Sequence, residues 1–132
     1  MEGGQTNEFR PLILVAEDDD SNFKLIKAII GKKCDIQWAK NGEEIVALFK
    51  EYGNEAKAIL MDIKMPVMNG LDATKIIREE NKEIPIIMQT AYAFSSDKEN
   101  AMNAGASEVL VKPITLSILR GTLTKYFPEL VW

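Results

Sequence analysis

The stretch ILMDIKMPVMNG occupies residues 59–70, and Ala58 before it extends the apolar run to Ala58-Ile59-Leu60-Met61, which drives into the acid Asp62. A short apolar run without alternation is the pattern of a strand covered on both faces, as in a parallel sheet. A carboxylate is costly to desolvate without a partner. Asp62 therefore either caps the next turn or stands at a strand end where a site is built. Pro66 and the pair Asn69-Gly70 mark a turn and the start of a helix.

Outward from this strand the chain alternates. Residues 11–16 (PLILVA) form a buried strand, and Phe23, Ile26 and Ile30, flanked by Leu25 and Ile29, make a helical stripe that stops near Gly31. Asp20 or Ser21 is the expected cap of that helix. Residues 35–39 alternate like a short strand. Ile45, Leu48, Phe49 and Tyr52 follow the i, i+3, i+4, i+7 spacing of an amphipathic helix ended by Gly53. After the 58–61 strand, residues 70–80 are helical through Ala73, Ile76 and Ile77, and 84–89 form a strand entered through Pro85. Ser96-Asp97-Lys98-Glu99 has the spacing of a capping box, and its helix ends at Gly105. Residues 108–111 are the last strand, and Leu119, Leu123, Tyr126 and Phe127 mark the last helix.

Composition narrows the functions. The chain has 132 residues, 46% of them hydrophobic, enough for one self-sufficient core. Net charge is −4 and histidine is absent, so no broad basic surface for nucleic acid is expected. No apolar run approaches bilayer length, and the first residues lack the apolar segment of a secretory signal. The single cysteine, Cys34, reads as a small core residue in an apolar setting. A cytoplasmic domain without direct nucleic-acid or membrane contact is the expectation.

Five strands alternating with five helices imply βαβ crossovers, hence an α/β, doubly wound parallel sheet. Ligands in such sheets lie beyond the carboxyl ends of the strands. Glu17, Asp18, Asp19 and Asp20 follow the first strand, Asp62 the third, Thr90 the fourth and Lys112-Pro113 the fifth. Every strand end but the second carries a polar group able to serve one site. Carboxylates converging at one point repel each other and invite a hard divalent cation such as Mg²⁺. A carboxylate nucleophile beside an ammonium and a hydroxyl suits phosphoryl transfer.

With LVAEDDDSN (14–22), LMDIKMPVMNG (60–70), IIMQTAYA (86–93) and VLVKPI (109–114) in order, each about its own strand end, the chain resembles a receiver domain of two-component response regulators. The resemblance covers residues 11–127. It implies a flavodoxin-like, five-stranded sheet in the order 2-1-3-4-5. It also implies that Asp62 is the phosphoacceptor and that Glu17, Asp18, Asp62 and the backbone carbonyl of Lys64 hold Mg²⁺. Thr90 would be the switch hydroxyl and Lys112 the phosphate-pairing lysine, aimed inward by a cis bond before Pro113. A histidine kinase or histidine phosphotransfer domain would be the partner, and the domain would catalyse its own phosphorylation and dephosphorylation.

Three departures from the commonest pattern stand out. Glu17 replaces a frequent aspartate, Val109 replaces a frequent aromatic ring, and Tyr92 and Lys64 flank the site where side chains control access of hydrolytic water. The wording of 61–78 is most similar to receivers of hybrid sensor kinases, in which other domains of the parent chain would be partners and a membrane tether would come from the parent. A free-standing regulator is the other context. Residues 1–10 are expected as a flexible tail or linker, 11–128 as the domain and 129–132 as a C-terminal tail. Two other functions compete. One is a receiver fold that no longer accepts phosphate; the other is a Mg²⁺-dependent phosphatase working through an aspartyl phosphate. The latter expects an aspartate two residues after the nucleophile, where this chain has Lys64.

Overall fold

The computed structural model of the chain describes residues 9–91 and 96–132. Its elements are β1 (Leu12–Ala16), α1 (Asp20–Ile30), β2 (Asp35–Ala39), α2 (Gly42–Tyr52), β3 (Ala56–Asp62), α3 (Gly70–Glu80), β4 (Ile86–Thr90), α4 (Asp97–Ala104), β5 (Glu108–Val111) and α5 (Leu116–Tyr126). The strands form one sheet in the order β2-β1-β3-β4-β5, every neighbouring pair parallel. This is the doubly wound, flavodoxin-like sheet with five helices that the alternation and the resemblance imply.

β3 lies at the centre, and Ala58, Ile59, Leu60 and Met61 have no solvent exposure. Both faces of the sheet are covered, so both phases of the three inner strands, β1, β3 and β4, are apolar over most of their length. Leu14, Ile59, Met61, Ile86 and Met88 enter the core shared with α2 and α3. Ile13, Val15, Ala58, Leu60 and Ile87 enter the other, shared with α1 and α5. That two-sided burial is why these strands read as continuous hydrophobic runs.

Several local expectations are corrected. β4 begins at Ile86 rather than 84 because Pro85 has no N–H for the ladder; its carbonyl still accepts from the Ile59 N–H at 2.9 Å. The cap of α1 is Asp19, not Asp20 or Ser21: its extended backbone lets the carboxylate accept from the Asn22 N–H at 2.8 Å. Ser96 precedes α4, yet its own dihedrals are helical (φ −67°, ψ −6°) and its side chain makes no capping bond. A side-chain cap works from extended backbone, so the capping-box spacing goes unused.

The described ends are held. Phe9 meets Phe127 with ring centroids 6.1 Å apart. Arg10 donates to the Asp35 carboxylate at 3.1 Å and to the Lys32 carbonyl at 2.6 Å. Leu130 is buried, and the Trp132 indole N–H donates to Thr124 at 3.0 Å. Within residues 129–132, read from sequence as a tail, Leu130 is buried and Trp132 partly buried against the core shared with α1 and α5, while Glu129 and Val131 are exposed. Cys34 is buried too, and burial pushes its thiol up to about 11, which suits a core residue.

Candidate functional site

The carboxyl ends of β1 and β3 lie side by side, with Ala16 opposite Met61 in register, so the residues that follow converge. Carboxylate oxygens of Glu17, Asp18 and Asp62 all lie within 4.8 Å of one another. Glu17 is completely buried, and its Oε1 has no hydrogen-bond partner among the described residues. Its Oε2 accepts from the Asp19 N–H at 3.2 Å. Desolvation, then the charge of Asp62, raises the Glu17 carboxyl from 4.5 to about 7. Metal-free, the cluster is electrostatically strained.

Lys112 answers part of that charge. Its ammonium donates to Asp62 Oδ2 at 3.0 Å and stands 3.8 Å from Glu17 Oε1. Burial is the largest influence on Lys112 and lowers its pKa. The hydrogen bond it donates to Asp62 and the charges of Asp62, Glu17 and Asp18 outweigh it, so the net shift is upward and the ammonium is kept. The Lys112–Pro113 bond is cis. Three carboxyl groups thus face one ammonium, so the acids outnumber the cation at this strand end. Such a centre selects hard cations, and every donor offered is oxygen.

The loop after β3 is tightly specified. Asn69 caps α3 through its side chain, which accepts from the Asp72 N–H at 2.9 Å. Gly70 donates to the Ile63 carbonyl at 2.8 Å, and a Cβ on it would lie 2.2 Å from the Asp62 carbonyl oxygen. The chain there passes too close for any side chain. Met68 donates back to Pro66 at 2.7 Å, a γ-turn with exposed Val67 at φ 69°. That conformation is strained for a β-branched residue. Strain of this kind persists where surrounding structure imposes it, here between the acidic strand end and α3.

Asp62, Lys64, Thr90 and Lys112 line one cavity of about 140 Å³ together with Gln89, Ala91 and Asp97. Thr90 is buried, and its hydroxyl donates to Asp97 of α4 at 3.4 Å. The residues singled out in the sequence, Glu17, Asp18, Asp62, Lys64, Thr90 and Lys112, are therefore neighbours at one end of the sheet. Val109 is half-buried opposite Met88. Tyr92 lies outside the described residues.

Three contributors were missed. Asp97 was read only as part of a capping box, and Gln89 only as the end of a strand. Trp38 corrects the statement that β2 brings no polar group: its indole N–H donates to the Glu17 carbonyl at 2.8 Å. A tryptophan one residue before a strand's end was the available signal, since its ring is apolar and its N–H must find an acceptor when covered.

Residues 13–124 match the response regulator receiver domain. The chain is 42% identical over 129 residues to Hybrid signal transduction histidine kinase I of Dictyostelium discoideum, matching 89% of this chain and 7% of that protein. It is 30% identical over 120 residues to the Polar-differentiation response regulator DivK of Brucella anthropi, matching 89% of this chain and 96% of that one. It spans only a small part of the hybrid kinase but nearly all of DivK. Among solved structures, the receiver domain of sensor histidine kinase PA1611 from Pseudomonas aeruginosa, with a magnesium ion coordinated in its active-site cleft, is similar at a TM-score of 0.83 and 30% identity. That match covers 91% of this chain and 99% of that one. A chain of the co-crystal of Saccharomyces cerevisiae Ypd1, a histidine phosphotransfer protein, with the receiver domain of Ssk1 gives a TM-score of 0.83 at 28% identity, covering 92% and 93%. A profile match over most of the chain, the strand order and the acidic strand ends agree: the chain belongs to the response regulator receiver family of two-component signalling.

Proposed function

We propose that Asp62 is the phosphoacceptor of a two-component phosphorelay, taking a phosphoryl group from the phosphohistidine of a kinase or histidine phosphotransfer domain. The observation that carries this is the buried Glu17 Oε1, left without a hydrogen bond and converging with Asp18 and Asp62 beside the Lys112 ammonium. A buried carboxyl oxygen without a hydrogen bond, crowded by two further acids, is satisfied when a cation binds. Mg²⁺ fits the all-oxygen donor set, with Glu17, Asp18, Asp62 and the Lys64 carbonyl as its holders. When bound, it neutralises charge on the transferring phosphoryl oxygens.

In the transfer, a bond forms between an Asp62 carboxylate oxygen and phosphorus as the phosphorus–nitrogen bond to the donor imidazole breaks, and the imidazole leaves with the electron pair. Lys112 already holds its ammonium beside Asp62, so it is poised to pair with phosphoryl oxygens without reorganisation. The Thr90 hydroxyl, on the same cavity, is the donor that turns from Asp97 to the phosphoryl group. The donor must come from another domain, because the chain has no histidine. Its phosphoryl group derives from ATP, so the domain works in the cytoplasm. The higher identity to hybrid kinases supports such a kinase as the parent, with 11–128 as the receiver unit and the packed residues on either side as its junctions.

Labelling with a small-molecule acyl phosphate and with a phosphorylated histidine phosphotransfer domain tests this reading. Asp62→Asn should abolish incorporation while far-UV circular dichroism is unchanged. Chelation of Mg²⁺ should do the same. Equal labelling of the Asn variant would show the acceptor to lie elsewhere, and labelling indifferent to chelation would remove the metal.

A further inference from the structure

We infer that Trp38 is a positioning residue for the cation site, acting through its indole N–H on the backbone of Glu17; this rests on the metal reading above. Glu17 is held from β2 at both backbone groups. Its N–H donates to the Ala39 carbonyl at 2.9 Å, and its carbonyl accepts from Trp38 Nε1 at 2.8 Å. The first bond continues the ladder between β1 and β2. The second is made after the ladder has ended, where the chain must turn to present Asp18 and Asp19. The Ala39 bond holds the peptide before Glu17, so the indole bond is what ties the next peptide, between Glu17 and Asp18, to β2; the placing of the Asp18 carboxylate relative to Glu17 depends on that peptide's orientation.

The indole is itself fixed. It stacks on Phe23 of α1 with centroids 4.0 Å apart and planes 2° from parallel. The Lys40 ammonium stands over the Trp38 ring at 4.8 Å and pairs with Asp20 at 3.8 Å. The donor is thus carried by a rigid ring clamped between β2 and the first turns of α1, the two elements that bracket the acidic loop. The carbonyl it holds belongs to the residue with the orphaned buried oxygen. Partners one bond removed from a metal ligand commonly govern affinity by tenfold or more, because they remove the freedom of the ligand before the ion arrives.

The coupling is reciprocal: if the indole bond favours the cation-binding arrangement, cation binding must strengthen the indole bond. In a Trp132→Phe background, where Trp38 is the only indole, Mg²⁺ titration should therefore change its fluorescence. The decisive experiment replaces Trp38 with benzothienylalanine, which keeps ring size and stacking but has no N–H, and with 7-azatryptophan, which keeps the N–H. Mg²⁺ affinity is read by calorimetry on the full chain. The benzothienyl variant should raise the dissociation constant about tenfold, the azatryptophan variant should restore it, and Trp38→Phe should behave like the benzothienyl variant. A rise under threefold in the benzothienyl variant overturns the inference, and so does an equal rise with 7-azatryptophan, which would assign the effect to ring packing. No Mg²⁺ binding by the unmodified chain overturns the metal reading instead, and this inference with it.

Discussion

Replacing Glu17 by Gln should stabilise the metal-free protein, and by an amount set by pH. Glu17 is completely buried and has one oxygen without a hydrogen bond. Its carboxyl, raised from 4.5 to about 7 chiefly by desolvation and then by Asp62, resists ionisation in the fold. At about 1.4 kcal/mol per pH unit, ionising it in place costs about 3 kcal/mol relative to the unfolded chain. The sign follows from proton linkage. Below 4.5 the group is protonated in both states and no penalty exists. Between 4.5 and 7 the unfolded chain binds fewer protons than the folded one, so stability falls as pH rises; above 7 the loss is complete. Gln keeps the acceptor for the Asp19 N–H, offers a donor toward Asp62 and carries no charge. At pH 8 in chelator the variant should gain about 3 kcal/mol, or roughly 10 °C in Tm for a domain of this size. The gain should shrink steadily toward pH 5. Urea unfolding of both proteins from pH 5 to 8, followed by far-UV circular dichroism, measures it. Saturating Mg²⁺ should reverse the order, since only the native chain then gains full stabilisation by mass action. A variant less stable than the native chain at pH 8 without metal, or a gain that ignores pH, would refute the electrostatic account of the site.

Two further outcomes follow from backbone approach and from the packing of α4. Gly70→Ala should destabilise by about 3 kcal/mol or more and impair labelling of Asp62, because its Cβ would meet the Asp62 carbonyl oxygen at 2.2 Å; Gly121→Ala, with nothing within 4 Å, should instead stabilise by about 0.5–1 kcal/mol as an ordinary helix substitution. Denaturant titration of the pair decides it, and equal behaviour would contradict the close approach. Beryllium fluoride with Mg²⁺ should shift the amide resonances of α4 more than that of Val109. α4 buries only Ala101 and Ala104 and meets the Thr90 hydroxyl through Asp97, whereas a valine at 109 has one stiff rotamer and little volume to move. A response centred on residue 109 would count against this.

The class of fold was written in short-range patterns. A parallel sheet covered on both faces demands apolar residues at both phases of its inner strands, so Pro11-to-Ala16 and Ala58-to-Met61 announced their own burial. The helices between showed their period through single stripes such as Ile45, Leu48, Phe49 and Tyr52. Polar residues directly after such strands were legible for the same reason: an acid ending a run of that kind is costly to bury without a partner, and the topology puts all strand ends on one side. What no local pattern could carry was contact between residues distant in the chain. That Asp19 and not its neighbours caps α1, and that Ser96 caps nothing by its side chain, depended on backbone dihedrals set by the packing of each helix. The packing of Leu130 and Trp132, which read as a tail in sequence, required the groove beside α1 and α5 to exist first. The Lys112 ammonium meets Asp62 across 50 residues, and the Trp38 indole meets the Glu17 carbonyl across 21, because parallel strands are separated by whole crossovers: two between β3 and β5, one between β1 and β2. Residue type and spacing determined which groups would reach the end of the sheet; only the tertiary structure decided which of them touch, since a hydrogen bond about 3 Å long depends on strand register and ring orientation that the whole core enforces.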